Sequence, residues 1–221
     1  MNSRRAFLGV LAGAPFAASL AGCQSFKSAE LNPALPGGDY DRWYIGSRPD
    51  GRFELPLVDR GLMRPELTPQ YVSWKGGAAP GVIVVDVDER FLYLVGNDGQ
   101  ALRYGVGVGR RGFAWKGRAR IGRKAEWPNW SPTKTMVRLK IAQAGAYQGG
   151  VDNPLGSRAM YLYQGDKDIM FRIHGTNEPA SIGEQVSSGC IRMLNEDVAD
   201  LYGRVPVGTT VVVRRNGQWR V

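Results

Sequence analysis

Apolar and polar positions alternate along this chain in short runs, most of them with the period of a strand. Residues 81–87 (GVIVVDV) are apolar almost throughout, the pattern of a strand buried on both faces. Residues 90–96 (RFLYLVG) and 101–108 (ALRYGVGV) flank Asn97-Asp98-Gly99, which predicts a hairpin. Residues 159–164 (AMYLYQ) and 168–174 (DIMFRIH) predict another around Gly165-Asp166. In the second of these strands Ile169, Phe171 and Ile173 share one face, so His174 falls on the other, at the strand end. A helical period appears clearly in one place, where Val198, Leu201, Tyr202 and Val205 recur at i, i+3, i+4, i+7. Asn195 is the expected N-cap of that helix, Glu196 and Asp197 suit its first turn, and Pro206 and Gly208 end it. Residues 209–215 (TTVVVRR) close the domain as a strand.

The first 79 residues read differently. Residues 7–21 are apolar and follow Arg4 and Arg5, but the run is too short and too rich in Gly and Ala to span a bilayer. Residues 1–22 read as a signal peptide. Ser3-Arg4-Arg5-Ala6-Phe7-Leu8 resembles a twin-arginine export motif, and Leu20-Ala21-Gly22-Cys23 a bacterial lipobox with Cys23 as the lipidated residue. The expected location is periplasmic, on a membrane, through a lipid anchor. Residues 23–79 read as a tether and an irregular extension, broken by Pro33, Pro36, Pro49, Pro56, Pro65 and Pro69. Trp43, Tyr44, Phe53, Tyr71 and Trp74 imply that part of it packs on the domain, which spans 80–215.

Charge and cysteine usage narrow the chemistry. The formal net charge of +9 becomes +7 once residues 1–22 are removed, since they carry two arginines and no acid. A basic chain favours an acidic partner; export turns that expectation from nucleic acid to the cell envelope. If Cys23 carries lipid, Cys190 is the one thiol of the mature chain, and in an oxidising compartment a lone thiol is a liability unless it reacts for a purpose. One histidine and one such thiol cannot supply the three or four nitrogen and sulfur ligands of a zinc-type centre, and no calcium-loop spacing is present, so no metal or cofactor is expected. Gly107-Val108-Gly109-Arg110-Arg111-Gly112 matches G-x-G-x-x-G, but no helical period follows it, and a dinucleotide site needs that helix. Trp127 and Trp130 are expected in the core or along a groove rather than stacking on bases.

The lone His174 and Cys190 lie in one glycine-rich stretch, residues 172–193 (RIHGTNEPASIGEQVSSGCIRM). An imidazole that can take the thiol proton makes the sulfur a nucleophile, and Gly189 lets the backbone offer N–H groups to a developing oxyanion. A buried cysteine and an unrelated histidine would be the plainer account of two such residues in isolation. The whole segment argues otherwise. His174-Gly175-Thr176, then Ser187-Ser188-Gly189-Cys190-Ile191-Arg192-Met193, closely resembles the signature of the L,D-transpeptidases of the YkuD (ErfK/YbiS) type. Residues 81–95, 106–133 and 149–163 resemble further stretches of that family, so the likeness covers roughly 80–214.

That resemblance implies a mainly β fold, a sandwich of mixed sheets with a short helix after the cysteine. It implies that Cys190 attacks a peptidoglycan tetrapeptide stem, releases D-Ala and holds a thioester. An amine then takes the acyl group, on another stem peptide or on an envelope protein. It makes His174 the base, the Gly175 carbonyl its orienter, and the N–H groups around Ser188, Gly189 and Cys190 the oxyanion site. Arg192 would fix the loop or a substrate carboxylate, and Ser187 would bind substrate. Many members have histidine at the place of Ser188, so here His174 carries the side-chain proton transfer alone. An L,D-carboxypeptidase or amidase on the same scaffold is the alternative, and a non-catalytic wall-binding protein is a third reading.

Overall fold

The computed structural model describes residues 40–110, 115–138, 143–187 and 189–215. The expected signal peptide and Cys23 lie outside them. Thirteen strands and two α-helices are present among the described residues. In chain order the strands are β1 (Tyr44–Asp50), β2 (Phe53–Val58), β3 (Gln70–Ser73), β4 (Ile83–Asp86), β5 (Phe91–Val95), β6 (Gln100–Gly105), β7 (Val108–Gly109) and β8 (Gly117–Glu126). A five-residue helix α1 (Lys134–Arg138) follows, then β9 (Arg158–Gln164), β10 (Lys167–His174), β11 (Gln185–Ser187), β12 (Ile191–Arg192), α2 (Asn195–Arg204) and β13 (Thr210–Arg214). The fold is mainly β, as the sequence pattern implies.

Nine strands form one mixed sheet in the order β12-β10-β9-β8-β13-β4-β5-β6-β3. Most neighbours are antiparallel; β13–β4 and β10–β12 are parallel. All four residues of β4 are buried because it has apolar layers on both sides. Ile83 and Val85 enter the main core, while Val84 packs with Tyr93 and Val95 on the opposite face. The sheet curls: Leu92 and Leu102 from one end and Met160, Leu162 and Ile173 from the other share that main core. Its ends meet where Gly107 and Arg192 exchange both main-chain hydrogen bonds, at 2.9 and 2.8 Å. The described part of the Gly107–Gly112 motif, Gly107 to Gly109, is thus a seam of the sheet with strand pairing rather than the start of a helix.

Val198, Leu201 and Val205 seat α2 in the core. Lys124 Nζ donates to the carbonyls of Tyr202 and Val205, at 2.6 and 2.7 Å, closing the C-terminal end of the helix. The N-terminal end differs from expectation. The cap position is Leu194, and Asn195 is the first helical residue. Its amide makes long-range bonds instead of capping.

The segment expected to be irregular is structured from residue 40 onward. β1 and β2 pair as a hairpin, and β3 adds itself to the sheet edge beside β6. Asp50, at the hairpin tip, receives Arg158 in two bonds of 2.6 and 2.7 Å and Trp127 Nε1 at 2.8 Å. Arg60 pairs with Asp197 and Glu196 at the start of α2. Trp43, Tyr44 and Phe53 pack as expected, whereas Tyr71 is 67% exposed. Trp127 is buried, and Trp130 lies half-buried against the Tyr147 ring.

Candidate active site

His174 ends β10, and Cys190 immediately precedes β12. The parallel register sets Ile173 opposite Ile191 and His174 opposite Arg192. Ile173 and Ile191 point into the core. The alternating neighbours Arg172, His174, Cys190 and Arg192 therefore share the other face. One step back along the register puts Cys190 beside Arg172, whose backbone and charge both pull the thiol pKa down. Cys190 and His174 are thus diagonal neighbours, about 7–8 Å apart along the backbone, a gap that an imidazole and a thiol can close.

The imidazole is oriented from behind. Nδ1–H donates to the Gly175 carbonyl at 2.5 Å; because a carbonyl only accepts, this assigns the proton to Nδ1 and leaves the Nε2 lone pair open. His174 is 5% exposed, and burial, aided by the Arg192 charge, pushes its pKa down to about 3. Burial also pushes the Cys190 thiol up, against the pull of Arg172. The resting pair is a neutral imidazole and a neutral thiol, so a proton must move as the sulfur attacks.

A buried clamp holds Gly175. Its N–H donates to the Arg158 carbonyl at 3.0 Å. Asn195 Oδ1 accepts from Ser157 N at 2.9 Å, and Asn195 Nδ2 donates to the Thr176 carbonyl at 2.9 Å. A Cβ on Gly175 would stand 2.3 Å from Asn195 Oδ1, so only glycine fits. Asn195 is the residue that sequence reasoning misplaced. Its position at the start of a helical period made a cap the natural reading, and the tertiary bonds leave no local signal.

The cysteine loop is braced by Ser187, whose Oγ donates to the Cys190 carbonyl at 2.6 Å and accepts from Gly189 N at 3.1 Å. Gly189 has φ +133°, which excludes other residues. Its N–H is therefore engaged by Ser187 rather than held open for an oxyanion. Ser188 lies outside the described residues. Arg192 pairs with Glu178 at 2.5 Å, tying the cysteine strand to the loop after His174. Of the two roles foreseen for Arg192, loop fixing is the one its contact serves. Ile182, within that loop, packs on Val58 and Met63 of the N-terminal segment.

Residues 80–213 match the family model YkuD, the L,D-transpeptidase catalytic domain. The chain belongs to this family. The probable L,D-transpeptidase ErfK/SrfK of Escherichia coli is 36% identical over 141 residues, 59% of this chain and 43% of that protein. The probable L,D-transpeptidase YbiS of E. coli is 31% identical over 152 residues, 65% of this chain and 47% of that protein. The chain thus matches less than half the length of these two relatives. A crystal structure of a probable carnitine operon oxidoreductase caia from Brucella melitensis is 50% identical; the match covers 71% of this chain and 99% of that one, with a TM-score of 0.47. Within the family domain the stretch from His174 to Arg192 is the one that brings an imidazole and a thiol to a common face.

Proposed function

We propose that this chain is a cysteine acyltransferase acting on peptidoglycan tetrapeptide stems, an L,D-transpeptidase in activity as well as in family. The observation that carries the reading is the shared face of His174 and Cys190 with Nδ1 tied to Gly175. Cys190 Sγ attacks the carbonyl joining meso-diaminopimelate to D-Ala while His174 Nε2 takes the thiol proton. The carbonyl oxygen becomes an oxyanion beside the Cys190 N–H, and exchange of the Gly189–Ser187 bond would supply a second donor. When the tetrahedral adduct collapses, the C–N bond breaks and His174 returns the proton to the departing D-Ala amine. An acceptor amine then attacks the thioester, His174 takes its proton, and the thiolate leaves and is reprotonated. The +7 charge of the mature chain suits an anionic stem or an anionic acceptor, including an amine on an envelope protein. Residues 1–22 direct export by the twin-arginine route, and lipid on Cys23 holds the enzyme at the periplasmic face of a membrane. Mass spectrometry of the mature N-terminus, showing lipidated Cys23 or a different start, tests that placement.

The activity is tested with purified protein and disaccharide-tetrapeptide. Cross-linked dimer lacking one D-Ala is the expected product, and Cys190→Ala should form none and take no carbapenem adduct. Tripeptide alone, even with excess acceptor amine, would replace transfer by hydrolysis. An adduct on the Cys190→Ala protein would remove Cys190 from its role.

A further inference from the structure

Three strands and the residue just before β12 form a single row across the face that carries the thiol. Arg123 of β8 stands opposite Tyr161 of β9, Tyr161 opposite Arg172 of β10, and Arg172 beside Cys190. The two guanidinium groups lie over the Tyr161 ring, with carbon-to-centroid distances of 3.5 Å for Arg123 and 4.8 Å for Arg172. A bulge shapes the strand here. Met170 has φ +63°, and its N–H donates to Asp168 Oδ1 at 2.7 Å. Arg172 Nη1 donates to the Met170 carbonyl at 2.5 Å, and its Nη2 stands 3.5 Å from Asp168 Oδ2. Ring, carbonyl and carboxylate hold the Arg172 side chain, which is 16% exposed.

The charged and titratable groups around the sulfur come from three strands. β10 supplies Arg172, His174 and Asp168; β12 supplies Arg192; β9 supplies Tyr161. Arg192 is matched closely by Glu178 at 2.5 Å, whereas Asp168 stands a full ångström farther from Arg172. Arg172 is thus the less neutralised of the two cations, and the register sets it beside Cys190.

We propose that Arg172 is a positioning residue for the nucleophile: its ring-held guanidinium, set beside Cys190 by the strand register, stabilises the negative charge that appears on the sulfur as the thiol proton passes to His174 Nε2. Arg172 neither gives nor takes a proton. The directions of titration agree, since Arg172 and Arg192 pull the Cys190 thiol down while burial and Asp168 push it up. The proposal rests on the reading of Cys190 as nucleophile and explains how a half-buried thiol ionises beside one imidazole.

The test is alkylation of the full-length chain with iodoacetamide, an uncharged probe, as a function of pH. Peptide-resolved mass spectrometry follows Cys190 separately from Cys23. Arg172→Gln should move the alkylation midpoint up and slow the reaction at neutral pH roughly tenfold, the low end of what a close opposite charge does to a pKa. Arg172→Lys keeps the charge and should recover most of the rate. Asp168→Asn keeps an oxygen for the Met170 amide but removes the opposing charge, so its midpoint should move down at an unchanged melting temperature; loosened folding, which would also lower the midpoint by relieving burial, would lower the melting temperature with it. Overlapping wild-type and Arg172→Gln profiles, or an Asp168→Asn midpoint that stays or rises, would overturn the proposal. So would a weaker KM for tetrapeptide in Arg172→Gln at an unchanged midpoint, which would make Arg172 a substrate-carboxylate contact. Because alkylation reads the thiol directly, it stands apart from the carbapenem adduct that tests whether Cys190 is the nucleophile.

Discussion

His174 ordinarily titrates near 6.5, and burial lowers that to about 3 in the folded chain. A base with a depressed folded pKa contributes stability above its unfolded value that is lost as pH falls toward the folded one. His174 should therefore cost the fold about 1.4 kcal/mol per pH unit between about 6.5 and about 3. Asp197 slopes the other way. Burial raises it to about 6, so its contribution is full below about 3.8 and is lost as pH rises through about 6. The two partly cancel in wild-type protein. The difference between wild type and His174→Asn isolates the imidazole: in urea unfolding, the stability gap should shift by at least 1 kcal/mol, about one unit's worth, in favour of the variant between pH 7 and pH 5. Parallel curves would mean that His174 is not held neutral. Asn195→Ala tests the clamp behind the imidazole. It strands the buried Ser157 N–H and Thr176 carbonyl, about 1–3 kcal/mol each, and should also slow carbapenem acylation. A variant as stable as wild type would show that the clamp does not hold Gly175.

At the scale of elements, the β1–β2 hairpin reaches the site through two links. Asp50 binds Arg158, and the Arg158 carbonyl holds the Gly175 amide. Asp50→Ala leaves a guanidinium that is 9% exposed without its carboxylate. Breaking a fully buried pair costs about 3–5 kcal/mol; Asp50 is itself 21% exposed, so about 2 kcal/mol is expected, with faster hydrogen exchange at the Gly175 amide. Unchanged exchange there would confine Asp50 to holding the hairpin. Much of the element layout was legible from period alone: the strands in 81–108, the hairpin around Gly165-Asp166 and α2. The hairpin at 44–58 was not, because Pro49 and Pro56 sit inside its strands and read as breakers. Proline is tolerated in such an isolated two-stranded edge, where a missing N–H need not interrupt a ladder on both sides.

At the scale of the whole molecule, the family domain begins at residue 80 but the sheet does not. β3 covers the β6 edge, and Leu67 packs so closely on Gly105 that a Cβ there would meet its carbonyl at 2.6 Å. A fragment of residues 80–215 would expose that edge and the apolar surface under Val58 and Met63. Compared with residues 40–215, it should aggregate in size-exclusion chromatography and melt at lower temperature. A monodisperse short fragment with an unchanged melting temperature would make the N-terminal segment dispensable to the fold.

The sequence by itself determined the kinds of element, the strand that ends at His174, and the candidacy of Cys190, because alternation, helical period and motif spacing are local properties of the chain. Gly175 and Gly189 were legible for the same reason, since a glycine beside a reactive residue marks a backbone constraint. Tertiary structure decided the rest. Asn195 became a clamp rather than a cap, Gly189 gave its N–H to Ser187, and Arg172 came to stand beside the thiol. Each depends on which strand lies next to which, and a parallel neighbour such as β12 is set by closure of the whole sheet rather than by any turn between the two strands.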